Sequence, residues 1–161
     1  MKLFQNLFSK GGIVVGAPMA GKLVSIKEVS DPTFGDEILG KGAAIIPSGN
    51  QVYAPVDGKV GTAFPTGHAV AIVASDGEEI LIHVGLDTVK LNGQHFTVHV
   101  KEGQEVKKGD LLLEADLEQI RAAGYDVITP VVICNSDGFA QIEAEAPKDV
   151  KPGDDILKLQ K

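Results

Sequence analysis

The sequence predicts an all-β fold, a sandwich built from two related halves. Tryptophan is absent, while 19 glycines and 8 prolines punctuate 161 residues. Short aliphatic runs recur between these turn signals, as in proteins made of many short strands. Two sequence units also return. Ala17-Pro18-x-x-Gly21-Lys22 reappears as Ala54-Pro55-x-x-Gly58-Lys59, and Val106-Lys107-x-Gly109-Asp110-x-x-Leu113 as Val150-Lys151-x-Gly153-Asp154-x-x-Leu157. Each copy reads as a strand, a tight glycine turn and a second strand. Two copies at unequal offsets fit a duplicated sandwich and not a solenoid.

Taken in chain order, residues 1–12 stand apart as a flexible amphipathic segment. Leu3 with Leu7, and Phe4 with Phe8, are spaced one helical turn apart between Lys2 and Lys10. So short a helix is marginal alone in water, and Gly11-Gly12 releases it from a single domain at 13–161. One reading is peripheral membrane contact through residues 1–10; the other is a strap lying on the domain. The start at Met1 and this segment favour a free-standing chain.

Helical turns are expected at about Asp36–Leu39 and at Leu117–Ala123, the second ending at Gly124. Between them, His68–Ala74 and Glu79–Val84 are β-branched and aliphatic arms joined by Asp76-Gly77, a hairpin signal. With Asp76 and Gly77 as the central turn residues, His83 lies opposite Val70 and diagonal to His68, roughly 7–8 Å away. One face then carries His68, Val70, Ile72, Glu79, Leu81 and His83. The other carries Ala69, Ala71, Val73, Ile80, Ile82 and Val84, wholly apolar and suited to the core. Both imidazoles project from the outward face, onto an open apolar patch. A loop one residue longer or shorter separates them.

Bulk properties exclude several classes. The net charge is −7 with a pI near 5.0, and no basic cluster tracks a phosphate backbone, which excludes nucleic acid as a partner. An acidic chain suits a partner with a basic patch. Cys134 has no second cysteine to pair with and, in the run VVIC, reads as a small buried apolar residue. With no membrane-length apolar run and no signal peptide, the expected location is cytoplasmic, peripheral at the membrane if residues 1–10 bind it.

No phosphate-binding glycine loop, dinucleotide fingerprint, nucleophile elbow or HExxH is present. His95 and His99 share a predicted strand face, with no acidic or third imidazole ligand evident nearby. They read as solvent-facing residues of an edge strand, and no metal or other cofactor is expected.

The histidine hairpin survives this pruning. A neutral imidazole is a competent nucleophile near neutral pH. Attack on a phosphoryl group brings negative oxygens beside the ring, where a second imidazole donates a hydrogen bond. Thr66 offers a hydroxyl, and Val84-Gly85-Leu86 offers backbone N–H groups, with Gly85 permitting close approach. Positioning and charge compensation suffice for phosphoryl transfer. The same spacing equally suits histidines satisfied at the margin of a core.

Resemblance separates these readings. PTGHAVAI followed by ILIHVGLDTVKLNG resembles the active-site signature of the glucose-type enzyme IIA component of the bacterial phosphoenolpyruvate-dependent sugar phosphotransferase system. The likeness extends to APMAGKLVSIKEVSDPTFGDEILGKGAAIIPS, YAPVDGKV, KEGQEVKKGDLLLEADLEQI and TPVVICN, nearly the whole chain. It implies a duplicated-hybrid-motif barrel-sandwich that carries a phosphoryl group. His83 takes the group on Nε2 from the histidine phosphocarrier protein and passes it to a cysteine of a sugar permease's IIB domain. His68 orients it and hydrogen-bonds the phosphate, Thr66 supports His68, and Gly85 and Asp87 flank the site. Phe34, Ile38, Phe64, Leu81 and Val89 form a shallow apolar partner surface with Asp31 on its acidic rim. Regulatory target proteins of the unphosphorylated state are implied as well.

Three departures accompany the likeness. Pro32-Thr33 replaces a more aliphatic pair, His95 stands where glycine is common, and Leu81 is a substitution-tolerant position. Two alternatives share parts of the pattern. A biotinyl or lipoyl carrier domain needs a modifiable turn lysine, but EADLEQ has none. A zinc hydrolase on a related sandwich needs a third ligand and a water-activating group.

Overall fold

The computed structural model describes residues 12–161; the amphipathic segment proposed for membrane contact lies outside them. The chain runs through β1 (Ile13–Gly16), β2 (Gly21–Ser25), α1 (Pro32–Gly35), β3 (Lys41–Pro47), β4 (Gln51–Tyr53), β5 (Gly58–Ala63), β6 (Ala69–Ala74) and β7 (Glu79–His83). It continues through β8 (Phe96–Val98), β9 (Glu105–Val106), β10 (Leu111–Ala115), α2 (Leu117–Ala122), β11 (Thr129–Ile133), β12 (Gln141–Ala144), β13 (Lys148–Val150) and β14 (Asp155–Gln160). The fold is all-β, with α1 and α2 as short helical turns.

An eight-stranded sheet of order β13-β2-β3-β11-β7-β6-β5-β9 faces two three-stranded sheets, β1-β14-β12 and β4-β10-β8. The main core joins all three, with Ile45, Ile72, Ile80, Ile82, Leu112, Leu113, Ile133, Ile156 and Leu157 fully buried.

The duplication is visible in matching hydrogen bonds. Between β9 and β10, Lys107 N donates to Asp110 Oδ2 at 2.8 Å; between β13 and β14, Lys151 N donates to Asp154 Oδ2 at 2.9 Å. Gly109 and Gly153 take φ of 95° and 93°, the left-handed value each turn requires. The first strand of each half meets these turns alike: Ala17 N donates to Asp154 O (2.7 Å) and Ala54 N to Asp110 O (2.8 Å).

The first helical turn lies earlier than expected, at Pro32–Gly35 and not at Asp36–Leu39. Asp31 is its N-cap, accepting from Thr33 N at 3.0 Å, and Pro32 occupies the first helical position. Proline is favoured there because its missing N–H has no intrahelical partner to lose. The unusual Pro32-Thr33 pair is therefore a helix start. α2 ends as expected, with Gly124 at φ 95°.

His95 and His99 do not share a strand face; they flank β8, the edge strand of its sheet. His95 sits in a turn at φ 75°, which accounts for the glycine common at that position. His99 is exposed and has an acidic partner after all: its Nε2 lies 2.9 Å from Glu114 Oε2. Cys134 is exposed, not buried, because β11 ends at Ile133 and the next residue leaves the core. Partial burial, then the Glu79 carboxylate, hold its thiol pKa above the ordinary value.

Candidate active site

The site is built on the β6–β7 hairpin, and its register differs by one residue from the expected one. Gly77 N donates to Ala74 O (3.0 Å) and Ala74 N to Glu78 O (2.8 Å), so three residues, Ser75, Asp76 and Gly77, form the loop. Gly77 has φ 106°. This is a type I turn followed by a glycine bulge, which Asp-Gly serves as well as the two-residue turn. His83 consequently pairs with Ala69, and Val70 with Ile82. The faces of β7 are as expected, with Ile80 and Ile82 in the core and Leu81 and His83 outward. Those of β6 are exchanged: Val70 and Ile72 are buried, while Val73 is 45% exposed.

The imidazoles meet nonetheless, with ring centroids 5.0 Å apart and planes at 80°. His68 lies one residue before β6, where strict pleat alternation no longer governs it. It leaves a turn closed by Gly67 N donating to Phe64 O (2.8 Å), with Gly67 at φ 71°. Its carbonyl still accepts from Val84 N at 2.7 Å.

The expectation of two open rings holds for one. His83 is partly exposed, whereas His68 is only 4% exposed, with Phe64 at its edge (centroids 5.3 Å apart). His83 is thus the accessible ring of the pair, and His68 lies against it beneath the surface.

Each ring has one nitrogen engaged. His83 Nδ1 lies 2.7 Å from Gly85 O, and Thr66 Oγ1 lies 2.6 Å from His68 Nδ1. Gly85 thus contributes a carbonyl, where an N–H was expected. It accepts the Nδ1 proton of His83 and leaves Nε2 with the lone pair. Among the described residues, neither Nε2 has a protein hydrogen bond.

Burial, then the charge of His83, pushes the His68 pKa down to about 4. Burial also lowers that of His83, opposed by the Gly85 carbonyl and by Asp31 and Asp87. With both pKa values held below the ordinary 6.5, both rings are neutral near pH 7.

Phe34 packs on His83 with centroids 4.9 Å apart, but at 4% exposure it props the ring and adds almost nothing to the surface. It belongs to a second core cluster with Val24, Ile26, Val29, Leu86 and Ile128, on which Leu81 packs. Of the residues expected at a partner surface, Ile38 is 70% exposed and Val89 47%; Leu39, beside Ile38 and not anticipated from sequence, is 40% exposed. Phe64 and Leu81 are half-buried, as is Asp31, the cap of α1. Asp87 is exposed at φ 60°. Thr88, within the quoted GLDTV signature, was given no role, yet it is completely buried beside Gly85. Among the described residues, no three His, Cys, Asp or Glu side chains are arranged to hold a metal ion.

A model of the phosphoenolpyruvate-dependent sugar phosphotransferase system, EIIA 1 family, matches residues 13–139. The chain belongs to this family. It is 47% identical over 146 residues to the PTS system beta-glucoside-specific EIIBCA component of Bacillus subtilis, covering 91% of this chain and 24% of that protein. The protein of the same description from Dickeya chrysanthemi is 46% identical over 143 residues, covering 89% and 23%. The EIIA chain thus spans about a quarter of the length of these curated relatives. Among solved structures, glucose permease IIA from Mycoplasma capricolum superposes with a TM-score of 0.86 at 39% identity, covering 91% of this chain and 95% of that one. This membership sets aside the biotinyl and zinc-hydrolase alternatives. Among the described residues of the EIIA chain, no helix is long and apolar enough to cross a membrane.

Proposed function

We propose that His83 of this EIIA unit is the phosphoryl acceptor and that Nε2 is the atom phosphorylated. The observation that carries this is the 2.7 Å contact of Nδ1 with the Gly85 carbonyl, which commits the other nitrogen to nucleophilic attack. The Nε2 lone pair forms the new N–P bond as the bond to the donor histidine breaks, its electron pair returning to the donor's imidazole. In the second step a IIB cysteine thiolate attacks phosphorus, and the His83 N–P bond breaks.

His68 donates from Nε2–H to the phosphoryl oxygens. Its Nδ1 must then accept, so the Thr66 hydroxyl donates to it across 2.6 Å. Ile38, Val89 and Leu39 form the contact surface, and Asp31 and Asp87 the acidic rim that attracts a basic donor. The donor is the histidine phosphocarrier protein. The acceptor is the IIB domain of a β-glucoside permease, since the curated relatives with that description are 46–47% identical, against 39% for glucose permease IIA. Residues 13–161 act as one unit on the cytoplasmic side of that permease, and the unphosphorylated face also serves regulatory targets.

Incubating the chain with phosphoenolpyruvate and the two upstream phosphotransferase proteins tests the assignment. His83→Gln should abolish the acid-labile, alkali-stable phosphoprotein. His68→Gln should still accept phosphate but pass it on poorly. Retained labelling of His83→Gln removes the acceptor assignment.

A further inference from the structure

We infer that Thr88 is a positioning residue for phosphoryl transfer, acting through the Gly85 carbonyl to hold His83 in its Nδ1–H form. This rests on His83 being the acceptor. The three peptide planes that follow His83 are each restrained. Val84 N–H donates to His68 O at 2.7 Å, which fixes the first. The Thr88 hydroxyl donates to Val84 O at 2.5 Å, which fixes the second. Leu86 N–H donates to Asp126 O at 3.0 Å, which fixes the third.

That third plane carries the Gly85 carbonyl on its opposite edge, the oxygen that takes the Nδ1 proton of His83. Between the second and third planes only the Gly85 dihedrals are free. Gly85 holds φ 78°, and a Cβ there would stand 2.6 Å from Thr88 Cγ2 and 2.8 Å from Asp126 O. Thr88 therefore acts twice: its hydroxyl anchors the plane before Gly85, and its methyl closes the space around it. Its hydroxyl bonds to Val84 O, while the imidazole hydrogen bonds go to Gly85 O and Thr66. With no exposure to solvent, its hydroxyl cannot exchange Val84 for water, so the restraint persists throughout the reaction.

The anchor matters because a histidine with no partner at Nδ1 redistributes its proton between the two nitrogens. Whatever fraction carries it on Nε2 has no lone pair for attack. Loss of one buried hydroxyl contact should shift the tautomer equilibrium about tenfold toward the Nε2–H form, and the rate falls with the fraction left as Nδ1–H.

The test uses the full chain with Thr88→Val, which keeps the shape, and Thr88→Ser, which keeps the hydroxyl. Nitrogen-15 NMR of the unphosphorylated proteins at about pH 7.5 reports the His83 tautomer, and transfer from the phosphorylated carrier gives the rate. Thr88→Val should show a mixed tautomer and a rate lowered by the fraction lost to the Nε2–H form, and Thr88→Ser should restore both toward wild type. A wild-type tautomer and rate in Thr88→Val, or no rescue by serine, overturns the assignment. If Thr88→Val does not fold, Thr88→Ala removes the hydroxyl without adding bulk and is judged by the same outcomes. Should wild type itself take no phosphate on His83, the acceptor reading fails and with it the role in transfer, while the tautomer measurement still decides whether Thr88 holds His83 in its Nδ1–H form.

Discussion

Removing His68 should flatten the acid side of the stability profile by a calculable amount. Its pKa falls from the ordinary value of about 6.5 to about 4, because burial and the neighbouring His83 penalise the charged ring. At roughly 1.36 kcal/mol per pKa unit, that drop is worth at most about 3 kcal/mol. The folded value lies below the unfolded one, so the unfolded chain binds the proton first as pH falls. The stability is complete above about pH 6.5 and is lost as pH falls toward about 4. Between about pH 7.5 and 4.5, wild type should lose about 2.5 kcal/mol more than His68→Gln, whose amide does not titrate. Urea unfolding of both proteins at the two pH values measures this difference, and carbon-13-edited NMR follows the His68 ring directly. A His68 signal titrating near 6.5, or parallel profiles for the two proteins, refutes its placement in a desolvated site beneath His83.

Three further outcomes follow from the same coordinates. Gly85→Ala puts a Cβ at φ 78° against Thr88 and Asp126 and should cost about 2–4 kcal/mol in thermal unfolding; a change within about 0.5 kcal/mol contradicts that strain. Glu78 is fully buried, with both carboxylate oxygens unpartnered among the described residues, and burial raises its pKa. A raised carboxyl loses stability as pH climbs through its folded value, so Glu78→Gln should unfold at higher temperature than wild type at about pH 8, with the gap closing below about pH 4.3. Ile38→Asp, at a side chain 70% exposed, should leave stability within about 0.5 kcal/mol yet slow transfer from the carrier about tenfold, which stopped-flow labelling measures.

The strands and the histidine pair were legible because they rest on local patterns. Alternation in EILIH assigns both faces of β7, and the repeated VKxGD units give the same turn twice. The register of β6 was not legible, because Asp-Gly satisfies both a two-residue turn and a three-residue turn with a bulge. Only the neighbouring strands, which require Val70 and Ile72 inside, decide between them. The first helix starts at Pro32 and not at Asp36 because Asp31 caps it and Pro32 fills its first position, while Ile38 and Leu39 are among the most exposed apolar residues. The burial of His68 and the packing of Phe34 against His83 depend on elements brought together by the tertiary fold, which no sequence spacing records. Thr88 was visible as a letter in GLDTV, but its role appears only with the loop conformation it restrains.

The nitrogen that carries the phosphoryl group is the most direct measure of this account. Nitrogen-15 and phosphorus-31 NMR of the chain phosphorylated through phosphoenolpyruvate and its carriers resolves the two imidazole positions. A single N–P coupling to Nε2 of His83, with Nδ1 still protonated against Gly85, is the expected result. Phosphate on Nδ1, or on His68, contradicts it.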